Sequence, residues 1–209
     1  MTDTVIDQIR GFTAINGFAL NSIGTRLYVA DHGASEVVAI NTDNHQRITA
    51  TTVPYPRAIA IAPGNARSHV ASDSVGWASI NLGTNRIVTQ TPTVAGQAAS
   101  IAHARFNSRI YITYRDRGEV YIGDTSTALV SKILAGFQSP YQVAFHTMFE
   151  LAYIPETDGN RVSIINTRTQ AVTGTVQGFN KPRGIVVIPS GRFAYVANIG
   201  NGTVSQVRL

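Results

Sequence analysis

The chain has no cysteine in its 209 residues, which excludes a disulfide framework, a thiolate metal site and a thiol nucleophile, and leaves the redox compartment open. Charge is also scarce: 14% of residues are charged, against about 25% in an average soluble protein. Long apolar runs are missing too. Stretches such as Ile185 to Ile188 fall far short of the ~20 residues that span a bilayer, and Met1-Thr2-Asp3-Thr4 does not read as a signal peptide. The sequence therefore predicts no membrane span.

What is present in quantity is Gly, Thr, Val, Ile and Ala, the composition of many short strands buried on both faces. The length suits one domain, taken as residues 1–209, and no compositional break calls for a second. The formal charge of +5 arises from 17 basic and 12 acidic residues. The basic ones are scattered about one per turn (Arg26, Arg67, Arg109 and Arg192, then Arg47, Arg86 and Arg168), whereas nucleic-acid binders cluster them on one face. No nucleic-acid partner is expected.

The strongest signal is internal repetition. Tyr28, His69, Tyr111, Tyr153 and Tyr195 are spaced by 41, 42, 42 and 42 residues, each within a short apolar strand. Upstream of them align Phe18-Ala19-Leu20, Ile59-Ala60-Ile61, Ile101-Ala102-His103, Val143-Ala144-Phe145 and Ile185-Val186-Val187. The small middle residue suits an innermost strand where sheets converge on an axis. Third strands follow at Val37–Asn41, Trp77–Asn81, Val120–Asp124, Val162–Asn166 and Val204–Val207. Fourth strands follow at Arg47 to Val53, Arg86 to Val94, Leu129 to Ala135 and Gln170 to Gln177. A period near 42 with four strands is that of one blade, so the fold class expected is an all-β, five-bladed β-propeller. The last repeat has three strands, and Thr4 to Phe12 reads like Ala171 to Phe179, a fourth strand and its exit. Residues 4–10 are thus expected to complete the blade of residues 182–209 and close the ring without unpaired edges.

The strand-turn-strand Pro189-Ser190-Gly191-Arg192 and Tyr195-Val196-Ala197-Asn198, followed by Thr203-Val204-Ser205, resembles the YVTN-type β-propeller repeat. Leu27-Tyr28-Val29-Ala30-Asp31 repeats it, and in the second repeat His69 replaces the tyrosine. The resemblance implies the fold and a cell-surface or periplasmic setting. It carries no catalytic motif.

In a propeller the connections on one rim surround the axial mouth, where ligand sites are built from several blades. Two columns fall there: Asn16, Arg57, Ala99, Tyr141 and Arg183 before the innermost strands, and Asp31, Ser72, Tyr114, Glu156 and Asn198 after the second strands. Both vary while neighbouring columns keep their chemistry, the pattern of one asymmetric site. The candidate ligand-binding set is Asp31, Arg57, Tyr114, Tyr141, Glu156, Arg183 and Asn198. The arginines would bind an anion and the tyrosines would lie against a sugar or ring.

The function expected is a monomeric, non-catalytic binding, interaction or scaffold module taking a small polar, anionic or carbohydrate ligand or a protein partner. The alternative is a propeller hydrolase or lyase at the same mouth, with Asp31 and Glu156 facing each other as acid and base. His69, His103 and His146 show no ligand spacing, and no metal or cofactor is expected. Asn201-Gly202-Thr203 matches a glycosylation acceptor, although a strand reversal alone accounts for its Asn-Gly.

Overall fold

The computed structural model describes residues 3–92, 96–127 and 129–209, and among them every regular element is a strand. The first sheet holds β1 (Ile15–Leu20), β2 (Arg26–Asp31), β3 (Glu36–Asn41) and β4 (Arg47–Thr52). The second holds β5 (Pro56–Ile61), β6 (Arg67–Ser72), β7 (Trp77–Asn81) and β8 (Arg86–Gln90). The third holds β9 (Ala98–His103), β10 (Arg109–Tyr114), β11 (Glu119–Asp124) and β12 (Leu129–Ala135). The fourth holds β13 (Ala144–Phe145), β14 (Leu151–Glu156), β15 (Arg161–Asn166) and β16 (Ala171–Gln177). The fifth has three strands, β17 (Pro182–Val187), β18 (Phe193–Asn198) and β19 (Thr203–Arg208). All pairings are antiparallel between consecutive strands, an arrangement that fits a β-propeller. The end of the fourth strand expected at Val94 lies outside the described residues.

One turn chemistry builds the outer hairpin of all four complete sheets. Asn41, Asn81, Asp124 and Asn166 each end a third strand, and each side-chain oxygen accepts from the backbone N–H groups two and three residues on, at 2.7–3.3 Å. Two residues before the fourth strand, or one, the chain takes a left-handed conformation: His45, Asn85 and Gln170 have φ of 60°, 54° and 53°. The local register then slips by one residue in each outer pair.

Four core clusters each join two neighbouring sheets. Tyr28 meets Ile59 between the first and second, Trp77 meets Ile101 between the second and third, Tyr111 meets Val143 between the third and fourth, and Tyr153 meets Ile185 between the fourth and fifth. The tyrosine column therefore faces the following sheet, and the first residue of each innermost triplet faces the preceding one. At the axis the sheets approach so closely that a Cβ on Gly17 would lie 2.7 Å from the carbonyl oxygen of Arg57, so only glycine fits there.

The expected closure is not formed. Residues 3–14 make no strand, and β19 pairs with β18 alone among the described residues. The opening segment instead lies on the first sheet: Ile9 and Phe12 pack against Val29, Val38 and Ile40, Asp7 bonds to His45, and Arg47 stacks 4.7 Å from the Phe12 ring centroid. Its similarity to Ala171–Phe179 has a physical basis, because Phe179 packs on the fifth sheet as Phe12 does on the first. The segment takes the place of an outer strand preceding the first sheet, but the fifth sheet is not there to meet it. Phe18, whose column partners are at most 9% exposed, is 71% exposed, and Tyr195, whose column partners are at most 4% exposed, is 39% exposed.

Two outcomes test this packing. Phe12→Ala should cost about 1–2 kcal/mol in chemical denaturation, part of the value of burying such a ring. The second concerns His69 and His103, whose rings lie 4.8 Å apart between the second and third sheets. Burial, with lesser contributions from His103 and Arg67, lowers the His69 pKa to about 3, and burial lowers that of His103 to about 4. The unfolded chain takes up these protons near pH 6.5 and the folded one does not. Stability is therefore fully present above about pH 6.5 and should fall by roughly 1.4 kcal/mol per pH unit per ring as the pH drops toward the folded values. His103→Leu, the residue type of this column at Leu20, should make the melting temperature less steep between pH 7 and pH 4.5.

Candidate ligand site at the axial mouth

The innermost strands carry a β-bulge at the same place. Register slips between Ile15 and Gly17, between Pro56 and Ala58, and between Pro182 and Gly184; in the third sheet, Ala98 and Ser100 pair with consecutive residues of β10. The extra residues are Asn16, Arg57, Arg183 and Ala99, and Tyr141 follows the isolated bridge of Pro140 to Glu156 in the fourth sheet. A bulged residue is released from cross-strand pairing, and its side chain can be re-aimed. This is how one sequence column comes to ring the axis.

The axial cleft has a volume of about 470 Å³ and is lined from all five sheets, among others by Phe18, Ile59, Ile101, Tyr141 and Arg183. A smaller recess of about 80 Å³ adjoins it, where Asn16, Arg57, Gln97, Arg115 and Tyr141 meet. Arg57 and Arg115 thus line the recess and Arg183 the cleft, with Tyr141 lining both. Arg57 is paired: its Nε donates to Asp73 Oδ2 at 2.7 Å, and that oxygen also lies 3.2 Å from His32 Nε2, while Asp73 Oδ1 accepts from the Ala98 N–H at 3.1 Å. Arg115 donates to the neutral Gln97 amide oxygen at 2.8 Å. Arg183 lies over the Tyr141 ring, 4.5 Å from its centroid, and its Nε is enclosed without a hydrogen-bond acceptor. Among the described residues no carboxylate forms an ion pair with Arg115 or Arg183. The mouth is therefore positive, with one flat aromatic wall.

The other sequence column lies elsewhere. Asp31, Tyr114, Glu156 and Asn198 are all buried, and their polar atoms are used by the framework. Asp31 accepts from the N–H groups of Thr13 at 2.8 Å and Ala14 at 2.9 Å, and Ala34 adds a third bond at 3.3 Å. Burial acts to raise the Asp31 pKa, but these donors and the nearby Arg47 charge outweigh it and hold the carboxyl below its usual range. Glu156 accepts from the Gln138 N–H at 2.7 Å, from both arms of Arg161 at 2.9 Å and from Ser163. Asn198 accepts from the Asn180 N–H at 3.2 Å and donates to Thr203 and Ser205. Tyr114 donates its hydroxyl to the Gly76 carbonyl at 2.6 Å. Ser72, in the same column, donates to the Pro54 carbonyl.

Four of these five residues, Asp31, Ser72, Glu156 and Asn198, each make a bond that reaches 18 residues back along the chain to brace the loop that enters the same sheet. Of the seven candidate residues, the structure gathers Arg57, Tyr141 and Arg183 at the mouth and places the other four inside. Gln97 and Arg115 were not singled out from sequence. The signal lay one position beyond the column chosen, where His32, Asp73, Arg115 and Ile199 follow the second strands and reach the rim. No group of three metal-ligating side chains occurs among the described residues.

No family model and no curated protein sequence matches the chain. Among solved structures it is similar to a functionally unknown protein from Desulfotomaculum acetoxidans DSM 771, at 18% identity and a TM-score of 0.78 over 95% of this chain and 70% of that one. It is also similar to U3-55K, at 12% identity and a TM-score of 0.80 over 96% of this chain and 63% of that one. Hydrazine synthase from Kuenenia stuttgartiensis matches at 15% identity and a TM-score of 0.60, over 93% of this chain and 83% of that one. At such identities the likeness is one of fold, and together with the repeated four-stranded antiparallel sheets it makes this chain propeller-like.

Proposed function

We propose that the protein is a non-catalytic binding module of the YVTN-repeat type, whose axial mouth takes a small polar ligand bearing a carboxylate or similar anionic group, such as a sugar acid. The repeat type rests on Tyr195-Val196-Ala197-Asn198 and Leu27-Tyr28-Val29-Ala30-Asp31. The observation that carries the ligand class is the placement of two arginines, without carboxylate partners among the described residues, in the adjoining hollows that Tyr141 lines: Arg183 over the Tyr141 ring at the cleft of about 470 Å³, within the size range of small-molecule sites, and Arg115 in the smaller recess. A guanidinium presents a planar fork of donors that matches a carboxylate, and the aromatic face suits the apolar side of a pyranose ring. The Arg57–Asp73–His32 chain keeps the opposite wall fixed without adding free charge.

The rival reading, a hydrolase or lyase at this mouth, needs an acid and a base that reach the ligand. Asp31 and Glu156, the pair that would fill those roles, are enclosed, and their oxygens are hydrogen-bonded within the framework. This favours capture over turnover.

Thermal-shift and calorimetric titration with glucuronate and galacturonate, against glucose and galactose as neutral controls, tests the reading. The acids should raise the melting temperature, with an effect that weakens as salt increases. Arg183→Gln should weaken acid binding by about tenfold or more, the usual value of one hydrogen bond to a charged group, and Arg115→Gln should add to the loss. Equal shifts with neutral sugars, or unchanged affinity in the Arg115→Gln, Arg183→Gln double variant, would overturn it. Turnover of a glycoside probe would favour the enzyme.

A further inference from the structure

The first and fifth sheets each present a face whose counterparts are buried or half-buried in every other sheet. On the first sheet these are Phe18, 71% exposed, and Leu20, 54% exposed; on the fifth they are Val186, Tyr195 and Val204, exposed to 59%, 39% and 67%. Among the described residues no core cluster joins the two sheets. Besides these faces, β19 has a free edge, its outward N–H and C=O groups unpaired among the described residues, and residues 3–10 lie near the first sheet without a strand partner. A long exposed edge next to an apolar face is a site for strand addition.

We propose that this gap is a docking surface for further blades of the same repeat, joined in continuity with β19, and that they complete the ring. Three observations select that occupant. The exposed residues stand in the columns that meet a neighbouring blade elsewhere in the molecule, so the complementary surface is another copy of this repeat. Phe12 already occupies the first sheet as Phe179 occupies the fifth, which places residues 4–10 where the outer strand of a preceding blade belongs. The structural neighbours that superpose over 95% and 96% of this chain are themselves covered only to 70% and 63%, an excess of about two repeats of this length in the first and nearly three in the second. This surface shares Phe18 with the cleft proposed for the ligand, but the amide-exchange and dye readouts below do not depend on that ligand.

The test compares the 209-residue chain with versions that carry residues 168–209, one full repeat in phase with β19, appended once or twice after Leu209. In the unextended chain, the outward-facing β19 amides, which β18 does not pair, should exchange within seconds to minutes and 8-anilinonaphthalene-1-sulfonate should bind. In the twice-extended chain the β19 amides should be protected, dye binding should fall severalfold, and the melting temperature should rise. A single appended repeat should give partial protection.

Phe18→Ser provides a second readout should an extended chain fail to fold. In the unextended chain it should leave the melting temperature within a degree or two and reduce dye binding, whereas Ile59→Ser in the same column should unfold the protein. Slow β19 exchange and absent dye binding in the unextended monomer would overturn the proposal. So would a dimer by light scattering that Phe18→Ser dissociates, which would assign the gap to a second copy.

Discussion

Face-to-face packing between consecutive sheets is the interaction on which this structure depends. A four-stranded sheet of short strands cannot hide its apolar faces by itself, and here each face is covered by the next repeat: Tyr28 on Ile59, Trp77 on Ile101, Tyr111 on Val143, Tyr153 on Ile185. Stability in such an array is a sum of nearest-neighbour interfaces. The scarcity of charge follows, since most second and third strands are buried on both faces. So does the contrast between the middle and the ends of the array, where the same column holds Ile101 at 6% exposure and Phe18 at 71%.

The loop braces show how one mechanical task can be performed by different chemistries. Asp31, Ser72, Glu156 and Asn198 share neither charge nor shape, yet each ties the end of a second strand to the segment 18 residues earlier. What they share is a short polar side chain able to bond to a backbone group that enters the sheet from a loop and has no strand partner. In Glu156 the cost of enclosing a carboxylate is offset by the two-armed contact with Arg161 and by Ser163. A carboxylate where an amide would serve is therefore no sign of catalysis in this column.

The repeat, its period and the strand order were legible because burial imposes them at fixed spacing: a Tyr or His every 41 or 42 residues, and Ala in the middle of four of five innermost triplets. Asn41, Asn81, Asp124 and Asn166 stand at the same position of the repeat, and the structure makes each of them the acceptor of its turn. Closure was not, because residues 4–12 and 171–179 share the pattern of an outer strand with a trailing phenylalanine, and such a pattern establishes neither that residues 4–12 pair as a strand nor which edge they would meet. The mouth was half legible. Divergence between repeats marks positions freed from the common framework, but it also marks positions where several residue types can do one framework job. Arg57, Tyr141 and Arg183 belong to the first kind, and Asp31, Glu156 and Asn198 to the second. Backbone geometry separates them, since the first three sit at or beside the β-bulge and the others at the last paired position of a strand.

The same bulge explains why an otherwise repetitive framework can carry an asymmetric site. A regularly paired residue on an innermost strand is constrained by its cross-strand neighbour and by the adjoining sheet, which is why Gly17 has no room for a Cβ. The bulged residue has neither constraint. Substitution there changes what faces the axis without disturbing the packing that holds the sheets together, so Asn16, Arg57, Ala99, Tyr141 and Arg183 can differ completely at little structural cost. Charge then accumulates at the mouth because arginines enter from separate sheets, each held by its own local partner: Asp73 for Arg57, Gln97 for Arg115, the Tyr141 ring for Arg183. Of these partners Asp73 alone carries a balancing charge. Arg115 and Arg183 are thus each oriented by a neutral partner, an amide and an aromatic face, so an anion binding at either would displace no ion pair.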